Sequence, residues 1–264
     1  MSVMAQIDEF KIGTFCWAEL STNDQHAAKA FYSKIFGWTP VDLPMGPDQF
    51  YTMFQLQQRE VGAAATLSQD QTEYGVVPHW MLYVAVEDAG ATAAKAESLG
   101  ARILAKPFDV FDAGRMAVLQ DPTGAIFSIW QAKTSIGIRL TGVPGTLCWA
   151  DLATPDQTAA EVFYRSLFGW EFTPGEVHTG YLHIVNRGEF IGGVPPASAF
   201  DGAPPHWLLY FLIAQLEPAL EELKQGGGSV VVPATEIEKT GRFAVVQDPQ
   251  GALFAFFEAR PATA

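Results

Sequence analysis

The chain repeats itself, and this internal duplication restricts its possible folds more than any other feature of the sequence. Residues 13–38 and 145–170 align without a gap, and 16 of these 26 positions are identical. Two further matches follow in the same order, 78–83 with 205–210 and 114–124 with 241–251. Because the order of the matches is kept, a whole domain has been duplicated. We therefore predict two domains, at residues 1–136 and 137–264.

Each copy shows the same succession of strands and helices. In the first copy a strand at 14–20 leads into a helix, for which Asp24 is a suitable N-cap and Gly37 a suitable stop. The other predicted elements of this copy are strands at 50–56, 61–67, 79–86 and 101–105, a helix from 88 to 100, and a hairpin of 115–119 and 126–130. Each domain is therefore predicted to contain two βαβββ modules, and the chain four, which is an α+β fold.

Two short motifs occur at matched places in both copies. The first is Phe-Tyr followed by Phe-Gly-Trp at the end of the first helix (31–38 and 163–170), and the second is the turn Asp-Pro-x-Gly before the last strand (121–124 and 248–251). With these motifs the chain resembles the vicinal oxygen chelate superfamily, which includes glyoxalase I, extradiol dioxygenases and bleomycin-resistance proteins. It is similar in particular to tandem two-domain glyoxalase-like proteins that are labelled as hydroxylases.

The resemblance implies a shape but not a reaction. In this superfamily paired modules curl into cup-shaped mixed β-sheets, with the helices outside and the ligand inside the cup. We therefore expect two cup-shaped domains. The reaction stays open, because the fold hosts isomerases, dioxygenases, lyases and proteins that only bind.

The resemblance also implies where a metal would be bound. Metal-using members place a His on the first strand of a module, a His on the strand that opens the second module, and a Glu on the last strand. Here the first strands contain no His, and the other positions hold Met81 or Leu208 and Ser128 or Ala255. These side chains lack the imidazole nitrogen or carboxylate oxygen that divalent ions prefer. We therefore predict no catalytic metal and no cofactor, although an alignment two residues away would bring His79 to the position of Met81.

Alternation along the predicted strands indicates which side chains face the cups. Residues two apart share a face, so Phe15, Trp17 and Glu19 are predicted on one face. Cys16 and Ala18 are then predicted on the other face, packed under a helix. The same rule gives the full set of predicted ligand-binding side chains, which is Trp17, Tyr83, Ser128 and Trp130 in the first cup and Trp149, Tyr210 and Phe257 in the second.

Each cup is also predicted to hold a carboxyl group and an imidazole. Glu19 with His79, and Asp151 with His206, are the catalytic candidates. A carboxyl group buried against tryptophan has a raised pKa, and a neighbouring His can hold a proton near neutral pH. Other interpretations stay open. The histidines follow prolines at strand starts, where they can simply satisfy backbone groups, both carboxylates can lie in solvent at the rim, and the aromatic side chains can be ordinary core.

Charge and composition limit the partners and the location. The net charge is −13 without a basic cluster, which argues against binding to nucleic acid or to an anionic membrane surface. No apolar run is long enough to span a membrane, and the N-terminus lacks the apolar segment of a secretory signal. Two distant cysteines, Cys16 and Cys148, do not form a disulfide framework and favour the cytoplasm. A monomer and a homodimer both remain open.

Taken together, these features predict a small-molecule-binding protein that lacks the metal site of the superfamily. The alternative is an enzyme, a lyase, isomerase or dioxygenase, that acts on a small carbonyl or aromatic compound. A third interpretation is a scaffold protein whose cups are filled by side chains. Since the halves differ at Ser128 against Ala255 and at Trp130 against Phe257, one cup can have kept a function that the other has lost.

Overall fold

The first half of the chain forms one mixed sheet. The computed structural model describes residues 5–47, 49–175, 180–199 and 202–260. The elements of this half are β1 (Ala5–Gln6), β2 (Phe15–Thr22), α1 (Gln25–Phe36), β3 (Thr39–Gly46), β4 (Gln49–Leu56), β5 (Arg59–Thr66), α2 (Gln69–Glu73), β6 (His79–Ala85), α3 (Ala89–Ser98), β7 (Arg102–Val110), β8 (Gly114–Gln120) and β9 (Ile126–Ala132). Strands β2 to β9 lie in the order β3-β4-β5-β2-β6-β9-β8-β7. The two modules therefore meet where β2 pairs with β6.

The second half repeats this arrangement. Its elements are β10 (Leu140–Thr141), β11 (Leu147–Ala153), α4 (Gln157–Phe168), β12 (Glu171–Pro174), β13 (Leu182–Asn186), β14 (Glu189–Val194), a 3₁₀ turn (Ala197–Ala199), β15 (His206–Leu212), α5 (Leu216–Gln225), β16 (Ser229–Ile237), β17 (Gly241–Gln247) and β18 (Leu253–Ala259). The strand order is β12-β13-β14-β11-β15-β18-β17-β16. Two open, cup-like mixed sheets in an α+β chain confirm the predicted fold class. No helix of the described residues is long and apolar enough to cross a membrane.

The N-cap and the stop residue predicted for α1 are both observed. The side chain of Asp24 accepts a hydrogen bond from the backbone N–H of Ala27 at 2.9 Å, which caps the helix. Gly37 ends the helix in the left-handed conformation with φ 69°, which glycine adopts without strain. Asp156 and Gly169 do the same for α4.

In each half of the chain, one strand of the first module was not located from the sequence. Strand β3 contains Pro40 and Pro44, which break the usual strand pattern. It lies at the edge of the sheet and pairs only with β4, so the missing N–H groups of its prolines cost no ladder bond on the open side.

The two sheets turn one face towards each other and share a single apolar core. Tyr32 on α1 packs against Phe254 of the second half, and Trp80 on β6 packs against Phe211. The corresponding ring of the second half, Tyr164, stacks on Trp170 within the same core. Trp80 also contacts Tyr32 edge-on, so its side chain lies on the helix side of the sheet. Because these faces are covered, the opposite face of each sheet is left open.

A reciprocal pair of hydrogen bonds joins the halves within this core. The hydroxyl of Tyr32 donates to Oδ2 of Asp248 at 2.8 Å, and the hydroxyl of Tyr164 donates to Oδ2 of Asp121 at 2.9 Å. The other oxygen of Asp121 accepts three backbone N–H groups of its own turn, at 123–125. Each aspartate of the Asp-Pro-x-Gly motif therefore shapes its turn and also fixes the tyrosine of the other half.

A β-bulge at the start of β2 corrects part of the predicted orientation. Trp17 lies opposite Tyr83, but Phe15 lies opposite Val84, so Cys16 is an extra residue in the strand. Phe15 therefore turns into the shared core, where it packs edge-on against Trp170. The prediction that Phe15 shares a face with Trp17 was wrong, because alternation is interrupted at the bulge.

The bulge recurs in the second half between Leu147 and Trp149. Cys148 packs there against the cluster of Leu208 and Tyr210 on the open face, and not under a helix. Burial raises the pKa of both cysteine thiols, and each sulfur donates to a backbone carbonyl, Cys16 to that of Tyr83 and Cys148 to that of Tyr210. A protonated, buried thiol fits a small apolar residue better than a nucleophile.

We predict that Tyr32→Phe lowers the free energy of unfolding by about 1.5–3 kcal/mol, because it removes a buried hydrogen bond to a carboxylate. Urea denaturation followed by circular dichroism measures this change. Tyr74→Phe is the matched control, since Tyr74 is 89% exposed. Equal unfolding midpoints for Tyr32→Phe and the control would contradict the role given to the bond between the halves.

Candidate functional site

Two adjacent rows of side chains cross the open face of each sheet. In the first half one row is Met53, Ala63, Glu19 and Met81, and the next is Trp17, Tyr83, Ser128 and Val118. In the second half the same rows are His183, Gly193, Asp151 and Leu208, and Trp149, Tyr210, Ala255 and Val245. We call these open faces the first cup and the second cup. The ladder register thus places Glu19 and Asp151 at the centre of equivalent surfaces.

In the first cup a chain of hydrogen bonds ends at Glu19. The indole N–H of Trp17 donates to the hydroxyl of Tyr51 at 3.1 Å, and that hydroxyl donates to Oε2 of Glu19 at 2.6 Å. Burial raises the pKa of Glu19, and the neighbouring phenols of Tyr51 and Tyr83 offset this in part. Burial and the Glu19 charge raise the pKa of both phenols, which therefore act as donors.

The second cup holds a tighter version of the same cluster. The hydroxyls of Tyr181 and Tyr210 donate to the two oxygens of Asp151 at 2.7 and 2.8 Å, and the indole N–H of Trp149 donates to Oδ1 at 2.9 Å. Burial raises the pKa of Asp151, and these three donors together with the charge of His183 work in the opposite direction. Asp151 is only 5% exposed, whereas Glu19 is half-buried.

The two predicted histidines lie at the rim of the cups. His79 pairs with Ser21 in the ladder, two residues along from the pair of Glu19 and Met81, and its Nδ1 lies 2.8 Å from the carbonyl oxygen of Val77. His206 makes the equivalent contact with the carbonyl oxygen of Pro204 at 2.8 Å. Glu19 is hydrogen-bonded to Tyr51, and the phenol of Tyr83 also acts on its pKa through hydrogen bonding. The acid–base roles of Glu19 with His79 and of Asp151 with His206 stay predictions.

The remaining predicted ligand-binding residues lie around these clusters. The ring of Trp130 covers Gly114, where an added Cβ would overlap it, and its indole N–H donates to the carbonyl of Ser135 at 2.9 Å. In the second half, the ring of Phe257 lies 3.1 Å from the place that a Cβ at Gly241 would occupy. Ser128 is fully buried on β9, in the ladder position next to Tyr83.

Three residues of the carboxyl clusters were not identified by the sequence analysis. Tyr51 and Tyr181 supply the shortest hydrogen bonds to the carboxyl groups, and His183 lies beside Asp151, with ring contacts to Tyr181 and Trp149. The alignment of the two copies breaks between residues 38 and 78, so the equivalence of the tyrosines was not visible. The alternation Tyr51-Thr-Met53 was the available signal, because Thr52 lies fully buried on the helix side.

The side chains around the two carboxyl groups include few of the nitrogen and oxygen donors that divalent ions prefer. Around Glu19 the ladder places Met81, Tyr83 and Ser128. Around Asp151 it places Leu208 and Ala255, with the imidazole of His183 across Gly193. The carboxyl oxygens already accept hydrogen bonds from phenols, which a cation would have to displace. Within the described ranges, no three His, Cys, Asp or Glu side chains are grouped so that they could hold a metal ion. We derive no chemical step through a metal.

Two surface grooves lie outside the cups. One, of about 410 Å³, is lined by His26, Asp42, Pro44, Gln49 and Phe50. The other, of about 370 Å³, is lined by residues of both halves around Pro122 and Val162. Neither groove includes a carboxyl–tyrosine cluster.

Comparison with known proteins agrees with this architecture. A family profile described as the Glyoxalase/Bleomycin resistance protein/Dioxygenase superfamily matches residues 14–129 and 146–256. "Putative glyoxylase CFP32" of Mycobacterium tuberculosis is 36% identical over 98% of this chain and 99% of its own length. "Anthracycline biosynthesis protein DnrV" of Streptomyces peucetius is 31% identical over 95% of both chains.

Solved structures are similar in fold. The Mn(II)-bound glyoxalase from Novosphingobium aromaticivorans has a TM-score of 0.64 and 16% identity, and the comparison covers 94% of this chain and 82% of that one. The 2,3-dioxygenase LapB from Pseudomonas sp. KL28 has a TM-score of 0.64 and 13% identity, with 96% and 95% covered. At this identity the likeness concerns the fold alone.

We predict that Asp151→Asn destabilises the protein most near pH 4 and progressively less towards pH 7. The folded pKa of Asp151 is raised, so between the unfolded value, about 3.9, and the folded value the native state binds more protons than the unfolded state. The stability contributed by Asp151 is therefore present at low pH and is lost as pH rises. Urea denaturation across this range tests the trend, with Asp112→Asn at an exposed position as the control. A destabilisation that grows with pH would show that the folded pKa is lowered.

We also predict that Gly193→Ala breaks the bond between Tyr181 and Asp151. A Cβ at position 193 would overlap the hydroxyl of Tyr181, and the cost of the displaced ring and lost bond is about 2–3 kcal/mol. The reverse change at the matched position of the first cup, Ala63→Gly, is expected to cost about 1 kcal/mol. Urea denaturation compares the two variants. An unfolding free energy in Gly193→Ala equal to that of the unmodified protein would contradict the packing of Tyr181 over this glycine.

Proposed function

The chain belongs to the glyoxalase/bleomycin resistance protein/dioxygenase superfamily, and on that basis we propose that it binds a small, largely aromatic or hydrophobic molecule on the open face of its sheets. Binding through its own side chains is favoured over the metal chemistry of other members, because the groups around Glu19 are phenols and thioethers. Those around Asp151 are phenols, aliphatic chains and one imidazole, that of His183.

The carboxyl–tyrosine cluster is the observation that carries this proposal. Small-ligand sites are mostly apolar and contain a few polar groups at fixed positions. Glu19 and Tyr51 form such a polar group among Trp17, Met53 and Met81. A carboxyl with a raised pKa can donate a hydrogen bond when it is protonated and accept one when it is ionised, so it suits a hydroxyl, carbonyl or amine of a ligand.

The relatives narrow the ligand class. Proteins named for anthracycline biosynthesis are 31% identical to this chain over nearly its whole length. We therefore propose a planar ring system that bears hydroxyl or carbonyl groups, which fits indole and thioether surfaces.

An enzyme is the second candidate, and one contact favours it. The short bond of 2.6 Å between Tyr51 and Glu19 joins two groups with raised pKa, which is an arrangement for moving a proton to or from a carbonyl substrate. The mycobacterial relative CFP32 is named as a glyoxylase. In this case Glu19 holds the proton and Tyr51 orients the carboxyl.

We predict that a hydroxylated polycyclic aromatic compound stabilises the protein against thermal unfolding. At a ligand concentration of 100 times Kd the stabilisation is about 2.7 kcal/mol. A thermal-shift panel of aromatic alcohols, quinones and anthracyclines measures it. The double variant Glu19→Gln/Asp151→Asn should lose most of the shift, and Asp112→Asn should keep it. A panel without any shift would contradict the proposed binding function.

The enzymatic candidate is tested by turnover. The unmodified protein is assayed on methylglyoxal with glutathione and on catechols. If Glu19 transfers the proton, Glu19→Gln lowers kcat at least about 100-fold, in line with the usual contribution of general acid–base catalysis. Turnover that survives both Glu19→Gln and Asp151→Asn would contradict this mechanism.

A further inference from the structure

The two carboxyl groups differ in how completely the protein satisfies them. Asp151 accepts three hydrogen bonds, from Tyr181, Tyr210 and Trp149. Glu19 accepts a short hydrogen bond from Tyr51, and the phenol of Tyr83 also lowers its pKa through hydrogen bonding, by less than Tyr51 does. A carboxylate has about four acceptor positions, so Glu19 keeps capacity for a further donor that Asp151 has already used.

The hydroxyl group of Ser128 beside Glu19 also lacks a partner of ordinary geometry. Its Oγ is completely buried and has no such hydrogen-bond partner among the described residues, although Tyr83 lies close to it. The Tyr83 hydroxyl lies 4.0 Å from the sulfur of Met116, and hydrogen bonding to Glu19 and to Ser128 acts on its pKa. A buried hydroxyl without a partner is costly, so its presence on the face of the cup indicates a group that arrives from outside.

The second cup has no such opening. Alanine replaces the serine at position 255 and is fully buried, and the hydroxyl of Tyr210 is bound to Asp151. The ring of His183 is packed against Tyr181 and Phe190. The carboxyl group of Asp151 is therefore held by three donors of the protein itself.

The two cups also differ in the apolar side chains that line them. Methionine occupies positions 53, 81 and 116 of the first cup, where the second has His183, Leu208 and Phe243. Methionine side chains are flexible and polarisable, so they adapt to a planar ring and contact it favourably through sulfur. All three are partly buried on the core and so retain surface that a ligand can cover.

We propose that only the first cup binds the ligand, and that the ligand carries an aromatic hydroxyl group which donates to Glu19 and accepts from Ser128. The ring lies against Met53, Met81 and Met116. The second cup is a structural counterpart whose carboxyl cluster holds its own strands together. This inference rests on the proposed binding function and adds the location and the recognised group.

Methionine NMR tests the location without any substitution. The sequence has six methionines, of which Met53, Met81 and Met116 belong to the first cup. Met45 lies on the edge strand β3. The second half of the chain contains none. Titration of [¹³C-methyl]methionine-labelled protein with 2-naphthol should shift the signals of the three cup methionines. Binding of 2-naphthol detected by calorimetry without such shifts would overturn the inference.

Matched variants test the recognised group. Glu19→Gln and Ser128→Ala should each weaken 2-naphthol binding at least five-fold, whereas the equivalent change Asp151→Asn weakens it less than two-fold. With 2-methoxynaphthalene, which lacks the hydroxyl donor, Glu19→Gln should have less than a two-fold effect. Thermal unfolding of each variant confirms that it is folded.

The outcomes separate this inference from the function on which it rests. If Asp151→Asn weakens binding as much as Glu19→Gln does, binding stands and the assignment to the first cup is wrong. If Glu19→Gln weakens both probes equally, the hydroxyl contact is wrong. If no compound of the aromatic panel binds, the binding function itself fails.

Discussion

The hydrogen bonds between Tyr32 and Asp248 and between Tyr164 and Asp121 are the contacts on which the arrangement of the molecule depends. Each tyrosine belongs to the helix of one half and each aspartate to the last turn of the other. Both partners are buried in the shared core, where loss of either bond would leave a polar group without water or another partner to replace it. The halves are thereby held with their helix-side faces together, and the opposite faces are directed away from the shared core and left open to ligands.

The same bonds explain why the motifs predicted the fold and not the chemistry. The tyrosine of Phe-Tyr and the aspartate of Asp-Pro-x-Gly meet each other in the core and do not line a cup. Strand alternation then placed Glu19, Met81 and Tyr83 correctly on one face, because the ladder between β2 and β6 is regular there. It failed at Phe15, since one extra residue at a bulge reverses every side chain beyond it. Tyr51 and Tyr181 could not be paired, because the copies differ in length before β4 and β13.

The two carboxyl clusters show how the copies have diverged without losing their geometry. Glu19 lies opposite Ala63, and the shorter Asp151 lies opposite Gly193. A Cβ at position 193 would occupy the place of the Tyr181 hydroxyl. The phenol can therefore come close enough to bond the shorter side chain of Asp151 only because residue 193 is glycine. In the first cup the longer side chain of Glu19 reaches up to Tyr51 instead. The changes at the paired positions therefore compensate one another.

This compensation has a consequence for function. A carboxyl group that is fully bound by its own protein is stable but has no position left for a ligand, as with Asp151 and its three donors. Glu19 is more exposed, accepts a short hydrogen bond from Tyr51 with the phenol of Tyr83 beside it, and has the hydroxyl of Ser128 nearby, so it keeps more acceptor capacity for a ligand than Asp151 does. Since both sheets share one core, the satisfied cluster of the second half can contribute stability to the whole molecule. The first half can then carry an unsatisfied polar group, which is a cost that a single isolated domain would have to offset alone.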